Sequence, residues 1–374
     1  MKIAFIGCGN MATSMLAGLL DSGMAKPEDI NATCRSKPSK YFADKGIKIV
    51  SNQEAVDFAD IVFLATKPQQ YDEVIDGLAR TKGKVFVTVA PGVTTDYVAA
   101  LTDGLVIRTM PNTPAFLGEG ATSICRGKNV PDEIYDFVLK ICKSFGSVYE
   151  LEEWQMDASV ALSGSSPAYA FMMIEALSKH FVNEGMKEAY AITTSANVIK
   201  SAAQMVLSTG KTPRALLGSI YFKEPYETLT TVLLPQNGVA CGLMLINEMS
   251  KFGARKRIDS NEAIKIAAQV LKGSAQMVLQ TGESPEDLRI KVCSPGGTTI
   301  EAVKKFQELG FEDVIIEAMK VGNSNPCKTI DHLQKVCIVS PAMDACTIRA
   351  CELSKDETAA KNRINMKKAS SLAE

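Results

Sequence analysis

The chain has 374 residues, 46% hydrophobic and 22% charged, with a formal net charge of −1 and a pI near 6.3. That length supports two domains and a sizeable core, while the near-neutral charge supplies no basic field for nucleic acid or an anionic membrane. No apolar run approaches the roughly 20 residues of a membrane span. Ten cysteines are scattered without a Cys-x-x-Cys pair, and there are two histidines, His180 and His332. This pattern argues against metal sites and disulfide scaffolds, and for reduced thiols in the cytoplasm. Ile3–Ile6 reads as a first strand, not as the apolar segment of a signal peptide.

That strand runs into Gly7-Cys-Gly-Asn-Met-Ala12, a Gly-x-Gly-x-x-Ala turn. Gly7 allows the tight turn, Gly9 lets backbone approach a pyrophosphate, and Ala12 lets the next helix pack on the strand. The helix start adds N–H groups and a positive dipole end. Gly7, Gly9, Asn10, Met11 and Ala12 are therefore expected to bind a dinucleotide, the alternative being a ligand-free strand–helix turn. Apolar runs at Ile30–Cys34, Ile61–Ala65, Val85–Val89, Val106–Thr109, Thr122–Cys125 and Ser147–Leu151 alternate with helical stretches. The pattern predicts a doubly wound, mostly parallel α/β domain over residues 1–157.

Ligands of such sheets lie beyond the carboxyl ends of the strands. The second strand ends in Cys34-Arg35-Ser36-Lys37, where an NAD site usually carries an acidic residue. Arg35 and Ser36 suit a ribose 2′-phosphate, so NADP(H) is expected to be preferred and NAD(H) possible; an ordinary basic turn is the alternative. Ala65, Lys67 and Pro68 at one strand end, and Asn112 between two prolines at another, complete the expected cofactor set.

From residue 158 to about 355 the pattern turns helical. Ala203–Gly210 recurs as Ala275–Gly282, a spacing of 72 residues (275 − 203), and the match extends without a gap from 167–216 to 239–288 with 19 of 50 positions identical. We read a tandem helical repeat. Copy one begins Ser163-Gly-Ser-Ser-Pro-Ala-Tyr169, a pattern lost in copy two. Copy two ends Cys293-Ser-Pro-Gly-Gly-Thr-Thr-Ile300, a pattern lost in copy one. In Ser294–Thr299, Gly296 and Gly297 expose backbone N–H groups while Ser294, Thr298 and Thr299 add hydroxyls at a helix start, which suits a small carboxylate substrate. A capped, glycine-rich helix start is the alternative.

Five segments together resemble the pyrroline-5-carboxylate reductase family: Phe5–Ala12, Ala65–Gln69, Met110–Ala115, Ser163–Tyr169 and Ser294–Ile300. The resemblance covers Met1 to about Lys320 and resumes over Met343–Lys355. It implies an N-terminal Rossmann domain, a helical dimerisation domain, and hydride transfer from NAD(P)H to a cyclic imine, the last step of proline biosynthesis. It also implies that Ser163, Ser165, Pro167, Ser294, Gly296, Gly297, Thr298 and Thr299 bind substrate, with Thr299 the catalytic proton donor. The chain departs from the family in its repeat, in Ser166 where the family has Gly, and in an insert at about 321–342 that is either a surface loop or a poorly folded addition. Residues 356–374 read as a polar, disordered tail. Two alternatives stand: a catalytically impaired NADP-binding homologue, and a hydroxyacid dehydrogenase of the same superfamily. Assembly is expected either as a homo-oligomer or as a single-chain pseudo-dimer in which the two copies pair.

Overall fold

The computed structural model describes residues 1–35, 38–221, 230–324 and 338–355. Ser36, Lys37, the core of the insert (325–337), the polar tail and most of the link between the repeat copies (222–229) lie outside the described residues. The chain divides into two compact units.

The first unit is built on eight strands: β1 (Ile3–Ile6), β2 (Ile30–Thr33), β3 (Lys48–Ile49), β4 (Ile61–Leu64), β5 (Val85–Thr88), β6 (Leu105–Met110), β7 (Gly120–Arg126) and β8 (Gly146–Glu150). Their order is β3-β2-β1-β4-β5-β6-β7-β8. The first six are parallel neighbours, and β7 runs antiparallel to β6. The carboxyl ends of β1, β2, β4, β5 and β6 therefore share one edge, as the doubly wound reading requires. The helices are α1 (Asn10–Asp21), α2 (Lys40–Asp44), α3 (Asn52–Phe58), α4 (Tyr71–Asp76), α5 (Thr95–Thr102) and α6 (Asp132–Lys143).

Central strands read as continuous apolar runs because both faces are covered. Ile3 and Phe5 pack with Met15, Leu16 and Leu19 of α1 and with Ile141 of α6. Ala4 and Ile6 face the other way, toward Val56 of α3, Tyr71 of α4 and Val98 of α5. Phe5 stacks on Phe63 at 5.1 Å. The fully buried Arg108 of β6 is neutralised by Glu153 at 2.7 Å and Asp157 at 2.6 Å.

The second unit is helical: α7 (Met156–Ser159), at its junction with the first, then α8 (Ser166–Asn183), α9 (Glu188–Thr209), α10 (Pro213–Tyr221), α11 (Thr230–Arg255), α12 (Ser260–Thr281), α13 (Pro285–Val292), α14 (Thr298–Glu308), α15 (Phe311–Ser324) and α16 (Val339–Glu352). Helix bounds recur at the 72-residue offset: α9 and α12 both start and end in register, each followed by a glycine, Gly210 and Gly282. The helices α9 and α12 pack along one another, with α8 and α11 against both. Two glycines of α11 permit this approach. A Cβ on Gly238 would lie 2.7 Å from Val198 of α9, and one on Gly242 would lie 2.8 Å from Ala202.

The two units divide between Asp157 and Ala158, but two short segments group across that division. Glu119–Ala121 group with the helical unit, where Glu119 accepts from Gln269 and pairs with Lys272 at 2.9 Å. Residues 350–355 group with the sheet unit: Lys355 donates its N–H to Gly92 at 2.8 Å, and its ammonium pairs with Asp72. The helices flanking the insert also reach further than expected, to Ser324 on one side and back to Val339 on the other. Among the described residues no helix is long and apolar enough to cross a membrane.

Gly18 in the middle of α1 tests the packing. A Cβ there would lie 2.2 Å from Phe145 Cβ and 3.0 Å from Phe145 Cα. Alanine in a helix interior gains about 1 kcal/mol over glycine, but overpacking against backbone costs typically 1–3 kcal/mol. Gly18→Ala is expected to lower the urea midpoint; a raised midpoint in denaturant titration contradicts the packing.

Candidate active site

In the sheet unit, the expected cofactor residues come from the carboxyl edge. Gly7 follows β1 with φ +103°, and a Cβ would sit 2.8 Å from the Ala65 carbonyl. Only glycine accepts that conformation and that approach. Its N–H donates to the Thr33 carbonyl at 3.2 Å, which ties the turn to the end of β2. Gly9 precedes α1, where an added Cβ would enter open space, and no side chain caps the helix start. Asn10, Met11 and Ala12 form the first turn of α1, with Ala12 buried against the core.

Ala65 extends the β4 ladder by donating to Ile6 at 2.9 Å, and Pro68 opens a short 3-10 turn. Lys67 is exposed. Asn112 is buried and leads a 3-10 turn over Thr113–Leu117 that packs along α1.

A cleft of about 290 Å³ lies among these strand ends. Gly7, Arg35, Thr66, Gln70 and Glu73 line it, with Ser51 and Asn52 from the start of α3. It brings Gly7 and Arg35 together, while the other expected cofactor residues among those described do not line it. The buried hydroxyl of Thr66 has no hydrogen-bond partner among the described residues. Open space above Gly9, an uncapped helix start, an orphaned hydroxyl and a cationic side chain fit a phosphorylated dinucleotide. The thiols of Cys8 and Cys34 hydrogen-bond to each other, and burial pushes the Cys8 thiol up to about 12, which keeps it neutral.

In the helical unit, the expected substrate residues form a second cluster. Gly296 takes φ +68°, and the Gly297 N–H closes the turn onto the Ser294 carbonyl at 3.0 Å. A Cβ on Gly297 would lie 2.5 Å from Ser294 Oγ and 3.0 Å from the Ser294 carbonyl, so a side chain there would crowd the turn. Thr298 and Thr299 follow as the first residues of α14, both buried. Thr299 donates its hydroxyl to Ser165 Oγ at 2.9 Å, and the Thr298 hydroxyl lies 3.4 Å from the same atom.

Ser165 owes its position to a π-helical turn over Val160–Gly164, a local irregularity often found at functional sites. Pro167 then enters α8 in its first turn, where its missing N–H costs nothing. The Ser166 hydroxyl donates to the Ala161 carbonyl at 2.6 Å, so the serine that replaces the family's glycine is accommodated inside the turn. Ser163 is buried in the same turn, and its hydroxyl donates to the Ser159 carbonyl at 3.0 Å.

Two participants escaped the sequence reading. Cys346 of α16 donates its thiol to Ser165 Oγ at 3.2 Å. Arg349, one helical turn on, donates two N–H groups to the Gly296 carbonyl, each at 3.1 Å, and braces the glycine turn. Both follow the insert, and the only signal for them was the resumption of the family pattern at Met343.

Residues 153–223 and 234–324 match a family model described as pyrroline-5-carboxylate reductase dimerisation, and residues 2–92 match one described as NADP oxidoreductase coenzyme F420-dependent. The chain is 35% identical over 326 residues to the pyrroline-5-carboxylate reductase of Escherichia coli (strain K12), spanning 85% of this chain and 94% of that protein. It is 33% identical over 323 residues to the protein of that name from Glycine max, spanning 85% and 92%. A solved pyrroline-5-carboxylate reductase from Coxiella burnetii superimposes with a TM-score of 0.50 at 26% identity, over 95% of this chain and 99% of that one. The Plasmodium falciparum pyrroline carboxylate reductase, solved with NADP bound, shares the fold with a TM-score of 0.56 at 23% identity, over 74% and 98%. With this identity sustained across nearly the whole of the Escherichia coli protein, the chain belongs to the pyrroline-5-carboxylate reductase family.

Proposed function

We propose that the chain reduces the C=N bond of 1-pyrroline-5-carboxylate to give L-proline, with NADPH preferred and NADH tolerated. The observation that carries this reading is the buried contact between Ser165 and Thr299 beside the glycine turn. It gathers hydroxyls and backbone donors suited to a small carboxylate next to a weak acid suited to an imine nitrogen.

In this reading the cofactor supplies the hydride, and the protein supplies placement and polarity. Gly7, Gly9, Asn10, Met11 and Ala12 take the pyrophosphate, and Arg35 with Ser36 takes the 2′-phosphate. Ala65, Lys67, Pro68 and Asn112 line the remaining path at the strand ends. Ser294, Gly296, Gly297 and Thr298 hold the substrate carboxylate, and Arg349 keeps their turn rigid. To serve the ring nitrogen, Thr299 turns its proton away from Ser165, and the Ser165 hydroxyl then donates to Thr299 Oγ1 and orients it. A protonated imine is already a good acceptor, so a hydroxyl suffices and no histidine or lysine is required. Holding the imine carbon in place provides much of the acceleration. A hydroxyacid dehydrogenase would need a lysine near the start of the helical unit, and Met156–Ser178 contains none.

The repeat bears on assembly. The 72-residue register of α9 and α12, their packing along each other, and the separate matches to the dimerisation family at 153–223 and 234–324 support a tandem duplication whose copies pair within one chain. Copy one supplies Ser165 and copy two supplies Thr299, so one helical unit holds both loops. No disulfide joins the eight cysteines among the described residues, which supports a reducing compartment such as the cytoplasm.

Two measurements check the chemistry. Purified protein should oxidise NADPH with 1-pyrroline-5-carboxylate and should not reduce NADP⁺ with 3-hydroxy acids; the reverse pattern contradicts the assignment. Thr299→Ala should lower kcat by about 100-fold, the lower end of a single acid–base contribution, with NADPH affinity nearly unchanged. Thr299→Ser should recover most of the rate. Wild-type turnover in Thr299→Ala removes the residue from the reaction.

A further inference from the structure

Glu73 lies where a dinucleotide ribose would meet Arg35. Its carboxylate is 3.3 Å from Arg35 Nη1, and both residues line the 290 Å³ cleft together with Gly7 and the orphaned Thr66 hydroxyl. The position of Glu73 is built in. The preceding Tyr71 is fully buried and donates its hydroxyl to the Leu64 carbonyl at 2.7 Å. Asp72, next in line, is held by Lys355 and by the hydroxyl of Tyr97. With α4 pinned at two successive residues, Glu73 is presented to the cleft.

An NAD site usually draws its ribose carboxylate from the end of β2. Here that position is Arg35. We propose that Glu73 supplies the missing carboxylate from α4 and tempers the preference for NADP(H), accepting from the ribose 2′-hydroxyl of NAD(H) and repelling the 2′-phosphate of NADP(H). Arg35 attracts that phosphate, so the two side chains oppose each other at one ribose position. Their mutual ion pair is weak, because the side chains are 74% and 71% exposed; such pairs are worth little and part easily. Arg35 can therefore turn to a phosphate when one arrives, while the Glu73 charge stays close by. At about 5 Å in water a unit charge facing a dianion costs on the order of a tenfold change in affinity. This assignment rests on the reading of Arg35 as the 2′-phosphate partner.

The test is calorimetric binding of NADP⁺ and NAD⁺ to the wild type, Glu73→Gln and Arg35→Gln. Neither exposed substitution disturbs the core. In Glu73→Gln the two dissociation constants should move in opposite directions: about 3- to 10-fold tighter for NADP⁺ and about 3- to 10-fold weaker for NAD⁺. A merely structural role for Glu73 would move both the same way, and that result, or no change in either, overturns the proposal. Arg35→Gln should weaken NADP⁺ and leave NAD⁺ nearly unchanged. If Arg35→Gln leaves NADP⁺ binding intact, the 2′-phosphate reading fails and takes the role of Glu73 with it. If Arg35→Gln weakens NADP⁺ while Glu73→Gln shifts both cofactors together, only the role of Glu73 is lost.

Discussion

The hydrogen bond from Thr299 to Ser165 joins residues 134 apart in the chain and lies out of contact with water. Two hydroxyls buried there are costly unless each finds a partner. They satisfy each other, and the Cys346 thiol completes the set. That requirement holds several elements in place at once. The π turn must deliver Ser165, α14 must begin at Thr298, and α16 must return after the insert to bring Cys346 and Arg349. Tyr169 of α8 packs on Phe306 of α14 at 4.9 Å, and Phe306 on Phe311 of α15 at 4.8 Å, so an aromatic chain ties α14 to both neighbours.

The sheet unit solves a different problem. Its ligand-facing residues come from separate strand ends, and only parallel pairing puts those ends on one edge. Hydrogen bonds between neighbouring turns then set the fine geometry, as when Gly7 donates to Thr33 and Ala65 to Ile6. Opposed charges at Arg35 and Glu73 occupy the rim, where solvent keeps their pairing loose enough for a ligand to intervene.

What the sequence disclosed follows from how local each signal is. The Gly7–Ala12 turn and the Ser294–Thr299 turn are contiguous, and their glycines have local steric causes, so they could be read directly. The central strands were legible because they are buried on both faces. The strand β3 was not, because it is two exposed residues, Lys48 and Ile49, without an apolar run. The π turn that ties the Ser163 hydroxyl to Ser159 was not legible, because nothing in Ser-Gly-Ser announces it. Cys346, Arg349 and Lys355 act through contacts made after a long excursion of the chain. Glu73 acquires meaning only beside Arg35, which is 38 residues away.

In the proposed function, one chain assembles its own substrate clamp from two tandem helical copies. The most direct test of that assembly is sedimentation of the active enzyme with turnover followed in the moving boundary. The account predicts that activity travels with a single 40.3 kDa chain and that specific activity holds constant on dilution. Activity confined to a dimer or larger species, and lost as that species dissociates, would contradict it.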